Sequence, residues 1–347
     1  MLEGIFNPEK KGRSGIYIAE IGLNHNGDPD TARRMILSAA EAGADAVKFQ
    51  TIVPELLNSV YTKALLETGR ESYTDRSAID FFAAFSFSAD QYRNLKALAE
   101  ERGLVFFSAP FDSESVALLE DIGVPLYKIA SSEVTNIPLI RRIAATGRPA
   151  VMSTGISSRN DIMKAVETFR SAGGSGLVLL HCVSNYPLNP RDANMQRIIS
   201  LRDEFGLHVG FSDHSVTNRA MIMAAVMGAR IFEKHFTIDR NFECPDKAVS
   251  AAPDDFRLMI EEVEESIAML GSGAIDFGAA EEPVARAARR SLFAARFIAA
   301  GSAINPDDII ALRPGVGMPA GGIDELIGRK TRTDIEKDHL LRPGDFE

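Results

Sequence analysis

The chain has 347 residues, 45% of them hydrophobic and 25% charged, which is ordinary globular composition and length for about two domains, or one large barrel with an appendage. Its two cysteines, Cys182 and Cys244, are too few for a disulfide framework and fit a reducing cytoplasm. A formal net charge of −10 argues against a nucleic acid partner, and neither a signal-type stretch at the start nor a bilayer-length apolar run is legible, so a cytoplasmic protein with no membrane partner is expected.

Short apolar runs alternate with helical patterns along the chain. Ile16–Ile21 is followed by an amphipathic segment, Asp30–Ala42, which opens on Asp28-Pro29 and closes on Gly43. Asp45–Phe49 is the second run, and the helical pattern Asp90–Arg102 stops at Gly103. Val105–Ala109 leads into Ser113–Ile122 and Gly123, Leu126–Ile129 into Pro138–Thr146, and Val151–Ser153 into Arg159–Ala172, which opens on Ser158. Leu177–His181, His208–Phe211 and Ile231–His235 complete the strands, and a last helical segment covers Asp254–Leu270. Near-continuous apolar runs predict parallel strands covered on both faces. Eight strand–helix units predict an α/β fold, a (β/α)8 TIM barrel over residues 1–275. A doubly wound sheet is the alternative, but no nucleotide-binding fingerprint accompanies the units. A Gly- and Ala-rich stretch, 276–290, reads as a linker, and 291–347, dense in turn signals such as RPGVGMPAGG, reads as a small β-rich domain. Its limited core would gain from docking onto something.

In (β/α)8 enzymes the chemistry sits at the C-terminal ends of the strands. Here those ends carry Glu20, Lys48 with Gln50, Ser108, Lys128 with Ser131 and Glu133, Ser153, His181, Ser212 with His214, and Lys234 with His235. Any one alone reads equally well as a solvated strand end. The set together is hard to explain that way. His214 and His235 end sequential strands, so their imidazoles can share one divalent cation with positions left for water or substrate. Two satisfied loop histidines is the competing reading. His208 opens its strand, at the opposite end of the barrel, and reads as structural, while His25 in GLNHNGD fits either role. Lys48 and Lys128 follow apolar residues, where an ammonium is costly unless paired with an anion. Each suits a Schiff base, a salt bridge, or a phosphate or carboxylate contact. Ser131, Ser153 and Ser212 beside them favour an anion site. Lys234 is a weaker candidate because His235, the next residue, faces the other side of the strand.

The segments IAEIGLNHNGD, DAVKFQT, APFD, YKIASSEVTNIPLI, MSTGISS, LLHCVSNYP, GFSDHS, FEKHFTID, CPDKAVS and RPGVGMPAGG, in that order, resemble the sialic acid synthase family, also called N-acetylneuraminate or nonulosonate synthases. The resemblance covers nearly the whole chain. It implies a barrel joined to a C-terminal module like type III antifreeze proteins (an antifreeze-like, or SAF, domain). It also implies a transferase of sialic acid and polysaccharide biosynthesis, condensing phosphoenolpyruvate with an N-acylated amino sugar aldehyde such as N-acetylmannosamine. Mn2+ or Mg2+ would assist, with Co2+ as a substitute. His214 and His235 match the family's metal ligands, and Lys48, Lys128, Ser131, Ser153 and Ser212 its phosphoenolpyruvate site. Glu20, Gln50, Tyr186 and Asp246 match contacts to the amino sugar, with Glu133 near the reacting carbons. Arg313, in ALRPGVG, matches a residue that reaches the sugar N-acyl group from the partner subunit, which implies a domain-swapped homodimer.

That chemistry suits the residue types. A metal acts as Lewis acid on the aldehyde, lysines hold and orient the anion, and Glu20 or Glu133 relays protons as water adds and phosphate leaves by carbon–oxygen cleavage. Three positions depart from the family pattern: Ala109 where threonine is usual, Cys244 where glycine is commoner, and Phe81–Asp90, which lacks a polar sugar contact. A sister synthase making legionaminic or pseudaminic acid, or a spore-coat polysaccharide homologue, shares the mechanism with a different sugar. A metal-dependent barrel aldolase or epimerase would need neither phosphoenolpyruvate nor the C-terminal module. A carbohydrate- or ice-binding protein would rest on the tail alone.

Overall fold

The computed structural model describes residues 12–57 and 78–347, so most of the N-terminal stretch read for a signal lies outside the described residues. Eight parallel strands close into a barrel in sequence order. They are β1 (Ile16–Gly22), β2 (Ala46–Thr51), β3 (Val105–Pro110), β4 (Tyr127–Ile129), β5 (Ala150–Ser153), β6 (Leu177–Cys182), β7 (Val209–Asp213) and β8 (Ile231–His235). Each is followed by its main helix: α1 (Pro29–Glu41), α2 (Ala89–Glu101), α3 (Ser113–Ile122), α4 (Ile137–Ala144), α5 (Arg159–Ser171), α6 (Arg197–Phe205), α7 (Arg219–Val226) and α8 (Pro253–Met269). Local chemistry sets the boundaries. The Asp28 side chain accepts from the amides of Asp30 and Thr31 ahead of α1, and Ser158 and Asp161 form a reciprocal capping box on α5.

Side-chain alternation divides the barrel into two apolar regions. Tyr17, Val47, Phe49, Phe106, Tyr127, Leu179, Phe211 and Phe232 face outward and pack with the helices. Ile16, Ile18, Ala46, Phe107, Leu126, Val151, Val178, Leu180 and Ile231 face inward and fill the barrel. Phe107 is fully buried in that inner group. Truncating it would cost about 3–5 kcal/mol through the cavity left behind. The inner apolar plug ends two to five residues before the strands do. Whatever the sequence places next on the same parity stands on that apolar floor.

The chain divides into two compact units, Met1–Gly271 and Ser272–Glu347. In the second, Glu282–Ala288 is a short helix within the stretch read as linker. Strands β9 (Ser291–Ala294) and β10 (Ile309–Leu312) then pair antiparallel, with isolated bridges and 3-10 turns around them. This unit has a core of its own: Leu292, Ala294, Ile298, Ile304, Ile309, Leu326, Ile335, Leu341 and Phe346. Among the described residues no helix is long and apolar enough to cross a membrane.

Candidate active site

The inward parity of each strand carries on past the apolar plug. It delivers Glu20 from β1, Lys48 and Gln50 from β2, Lys128 from β4, Ser153 from β5, Cys182 from β6, Ser212 from β7, and Glu233 and His235 from β8. All of these, with Ser131, Ser132, Ser184, Tyr186 and His214 from the loops, line one cleft of about 290 Å3. Ten of the residues singled out from sequence are therefore brought together: Glu20, Lys48, Gln50, Lys128, Ser131, Ser153, Tyr186, Ser212, His214 and His235. The floor lies deep, and Glu20, Lys48, Lys128, Ser153 and Ser212 are all buried.

Burial forces the charged groups to answer one another. Lys48 Nζ lies 2.7 Å from Glu20 Oε2, and Gln50 Nε2 donates to Glu20 Oε1 at 3.1 Å. Gly22, at φ +52°, ends this stretch; a Cβ there would sit 3.0 Å from Glu20 Oε1, so glycine leaves the carboxylate its place. Glu233 stands between the two lysines, 3.8 Å from Lys48 Nζ and 3.9 Å from Lys128 Nζ, and Ser212 Oγ donates to its Oε1 at 3.0 Å. Its Oε2 is buried with no hydrogen-bond partner among the described residues. Lys128 Nζ donates to Ser153 Oγ at 2.6 Å. Burial would lower the pKa of Lys48, but Glu20 and Glu233 carry it above the ordinary lysine value. Burial, aided by repulsion from Lys48, holds Lys128 below it despite Glu233. Burial would raise the Glu233 carboxyl, but Lys128 and Lys48 hold it below its usual range. With two ammonium groups set against two carboxylates, the floor is close to neutral and lined with hydroxyl donors.

The second half of the cleft is aromatic. The rings of His214 and His235 have centroids 5.4 Å apart, and Tyr186 stacks on His214 at 4.0 Å. His214 Nδ1 lies 2.8 Å from the Val183 carbonyl, so it carries the proton and its Nε2 lone pair is left for a ligand. His235 Nδ1 lies 3.5 Å from Asp246 Oδ2. One imidazole tied to a carbonyl and one beside a carboxylate form the outer support that metal-ligating histidines use, so the pair fits a divalent cation. Among the described residues no three His, Cys, Asp or Glu side chains form a ready ligand set. A cation here would keep open positions. Asp246 is set by Asn24, whose Oδ1 accepts from the Asp246 amide at 3.0 Å and whose Nδ2 donates to the Phe236 carbonyl and Ser250 Oγ.

Two residues are placed elsewhere. Glu133 is buried, but its carboxylate accepts from Ser132 Oγ at 3.0 Å and Asn136 Nδ2 at 2.7 Å, and it is not among the residues lining the cleft. Arg313 is exposed and belongs to the second unit. Other strand-end residues face outward: Ser108 is hydrogen-bonded to Thr51 at 2.7 Å, and His181 Nε2 donates to the Ala193 carbonyl at 2.7 Å. His25 is buried against Phe87, with Nδ1 accepting from the Gly27 amide at 3.0 Å, which makes it a brace for its turn. Sequence reasoning passed over Glu233, Cys182 and Asn24. The first two share the parity of the residues it did find.

The chain as a whole is similar to known proteins. The NeuB family matches residues 35–275, and the SAF domain matches residues 289–347. The chain is 35% identical over 341 residues to the N,N'-diacetyllegionaminic acid synthase of Legionella pneumophila, covering 96% of this chain and 95% of that one. It is 34% identical over 351 residues to a pseudaminic acid synthase of Campylobacter jejuni, covering 100% of both. Among solved structures, the N-acetylneuraminic acid (sialic acid) synthetase of Leptospira borgpetersenii matches with a TM-score of 0.68 at 34% identity, over 78% of this chain and 90% of that one. A match to more than half the chain, with relatives aligned almost end to end, makes this protein a member of the NeuB family with a C-terminal SAF domain.

Proposed function

We propose that the chain is a nonulosonate synthase: a transferase that condenses phosphoenolpyruvate with an N-acylated amino sugar aldehyde such as N-acetylmannosamine and releases phosphate. It would work in the cytoplasm, with Mn2+ or Mg2+ (Co2+ substituting), as a domain-swapped homodimer in which Arg313 of one subunit meets the sugar of the other. The observation that carries the reading is the pair of buried lysines set among Ser131, Ser153 and Ser212 in the same cleft as His214 and His235.

The roles follow from the contacts. Lys48 and Lys128 bind the carboxylate and phosphate of phosphoenolpyruvate, and the three serine hydroxyls complete the phosphate's hydrogen bonds. Gln50, Tyr186 and Asp246 orient the sugar so that its aldehyde carbon meets the enol carbon, which supplies proximity. His214 and His235 would hold a divalent cation, which would supply Lewis acidity toward that aldehyde. The new carbon–carbon bond leaves the second carbon of phosphoenolpyruvate electron-poor, and water adds there. The carbon–oxygen bond to phosphate then breaks, leaving a 2-keto acid and inorganic phosphate. Glu20 is the better candidate to take the water proton, because it lines the cleft and Glu133 does not.

The test is phosphate release from phosphoenolpyruvate in the presence of a panel of mono- and di-N-acylated hexosamines, since relatives named for legionaminic and pseudaminic acids share the reading. With 18O in the bridging position of phosphoenolpyruvate, the label should appear in the phosphate. Chelation should silence the reaction, with Mn2+, Co2+ or Mg2+ restoring it. Phosphate release that needs no sugar, or label retained in the carbon product, would overturn the proposal.

A further inference from the structure

We infer that the buried ion pair of Asp213 and Lys234, which takes no part in the chemistry above, is a clamp that sets the spacing of His214 and His235 and thereby the affinity of the cation site. The inference rests on the reading that these two histidines hold the metal. Asp213 is the last residue of β7 and Lys234 the last but one of β8, and the two are the final paired residues between those strands. Their parity is opposite to that of Ser212 and Glu233, so they lie on the outward side of the barrel wall. Lys234 Nζ donates to Asp213 Oδ2 at 2.6 Å and to the Ser215 carbonyl. Asp213 Oδ1 accepts from the Ser215 amide at 2.8 Å, and Oδ2 accepts from Ser215 Oγ at 2.9 Å. The residues on both sides of His214 are thus bound to the ammonium of the residue that precedes His235. The strand ladder stops at Asp213, and beyond it this network takes over, together with the Val183 carbonyl on the His214 ring and the Leu188 amide on the His214 carbonyl.

Stability alone is a poor explanation for such a pair. The two side chains are 4% and 0% exposed, and the desolvation of a buried pair commonly cancels its Coulomb attraction, so an uncharged pair of similar volume holds a fold as well or better. Position is the better explanation. A site with two protein ligands and no third to restrain it depends on where the two strand ends sit relative to one another. Groups supporting metal ligands typically change affinity roughly 10–100-fold when removed.

The experiment titrates Mn2+ into metal-free, substrate-free full-length protein by electron paramagnetic resonance, with thermal melting measured alongside. Lys234→Met leaves Asp213 buried and unpaired, so melting temperature and Mn2+ affinity should both fall. Asp213→Asn/Lys234→Met removes both charges. Its melting temperature should return close to that of the wild type while the Mn2+ dissociation constant stays roughly 10–100-fold raised. A double variant that melts and binds Mn2+ like the wild type would overturn the clamp, because a pair serving the fold alone loses nothing once both charges are gone. If the double variant does not fold, Ser215→Ala decides: it keeps the charges paired and removes only the hydroxyl, with its contacts to Asp213 and the Thr217 carbonyl. Affinity lost severalfold at unchanged melting supports the clamp, and unchanged affinity overturns it. His214→Ala separates the two levels of the argument. It should abolish Mn2+ binding, and wild-type binding by this variant would remove the metal reading and the clamp with it.

Discussion

Lys48 and Lys128 leave the inner wall of the barrel into a space where an unpaired ammonium is costly, and the chain answers with Glu20 and Glu233 rather than with solvent. Each lysine therefore has a fixed position before any anion arrives, and removing one subtracts a charge-assisted contact of about 1.5–3 kcal/mol. Lys48→Met and Lys128→Met should raise the KM for phosphoenolpyruvate roughly ten- to hundredfold, with a smaller change for the sugar, in variants shown by melting to be folded. Borohydride trapping of a substrate on either lysine would replace the anion reading with a Schiff base, for which the depressed Lys128 is the candidate. Two other residues tie the fold itself to pH. Burial holds His25 and His181 neutral, each lowered to about 4 from an ordinary 6.5. Between those values the unfolded chain binds protons that the folded chain refuses. Stability is therefore greatest above pH 6.5 and is lost as pH falls toward 4, by up to about 3 kcal/mol per histidine. The urea midpoint should drop across that window. His181→Gln, which can still donate to the Ala193 carbonyl, should flatten the drop. A wild-type slope in that variant would remove the neutral imidazole as its cause.

At the scale of strands and loops, Gly155 shows how backbone shape would serve the proposed anion site. It is the second residue after β5, its amide donates to Ser131 Oγ at 3.0 Å, and a Cβ there would fall 2.4 Å from Ser184 Oγ and 2.8 Å from Ser131 Oγ. The atoms in the way are side-chain hydroxyls, which can turn aside. Gly155→Ala should therefore leave melting nearly unchanged while raising the KM for phosphoenolpyruvate severalfold. An unaltered KM would show that Ser131 does not touch the substrate. The strands were legible because most are near-continuous apolar runs, several of them bounded by glycine, and each expected range overlaps the observed one. Helices α6 and α7 were not: Gln196 is no capping residue by type, and Asn218, which is one, makes no side-chain cap in the structure. Much of the site was legible by residue type, but type alone cannot separate the two faces of a strand. Ser108 and His181 looked eligible and point outward, while Glu233 and Cys182 point inward and were passed over between more conspicuous neighbours. Counting in twos from Ile231 leads to Glu233, and from Val178 to Cys182. Glu133 could not be placed that way, because it sits in a 3-10 turn after β4 where no strand parity applies.

For the whole molecule, each of the two units has a core of its own. The barrel buries its apolar groups around Phe107 and beneath its helices, and the second unit buries Leu292, Ile298, Ile335 and Phe346 among themselves. Arg313 is exposed in that second unit, so its replacement by alanine should change a contact and not a fold. This makes the domain-swapped reading testable by complementation. Glu20→Ala and Arg313→Ala homodimers should each be nearly inactive, the first for want of a barrel carboxylate and the second for want of the arginine over the sugar. In a mixed dimer with Arg313 acting in trans, one site joins the intact barrel of the Arg313→Ala chain to the intact tail of the Glu20→Ala chain. The other site carries both defects. With random pairing of two-fold dimers, half the dimers are mixed and half of their sites work, so coexpression should recover roughly a quarter of wild-type activity. If Arg313 serves its own barrel, every site carries one defect and no activity returns. Mixed dimers shown to form, yet silent, would therefore remove the swap and leave the barrel chemistry standing.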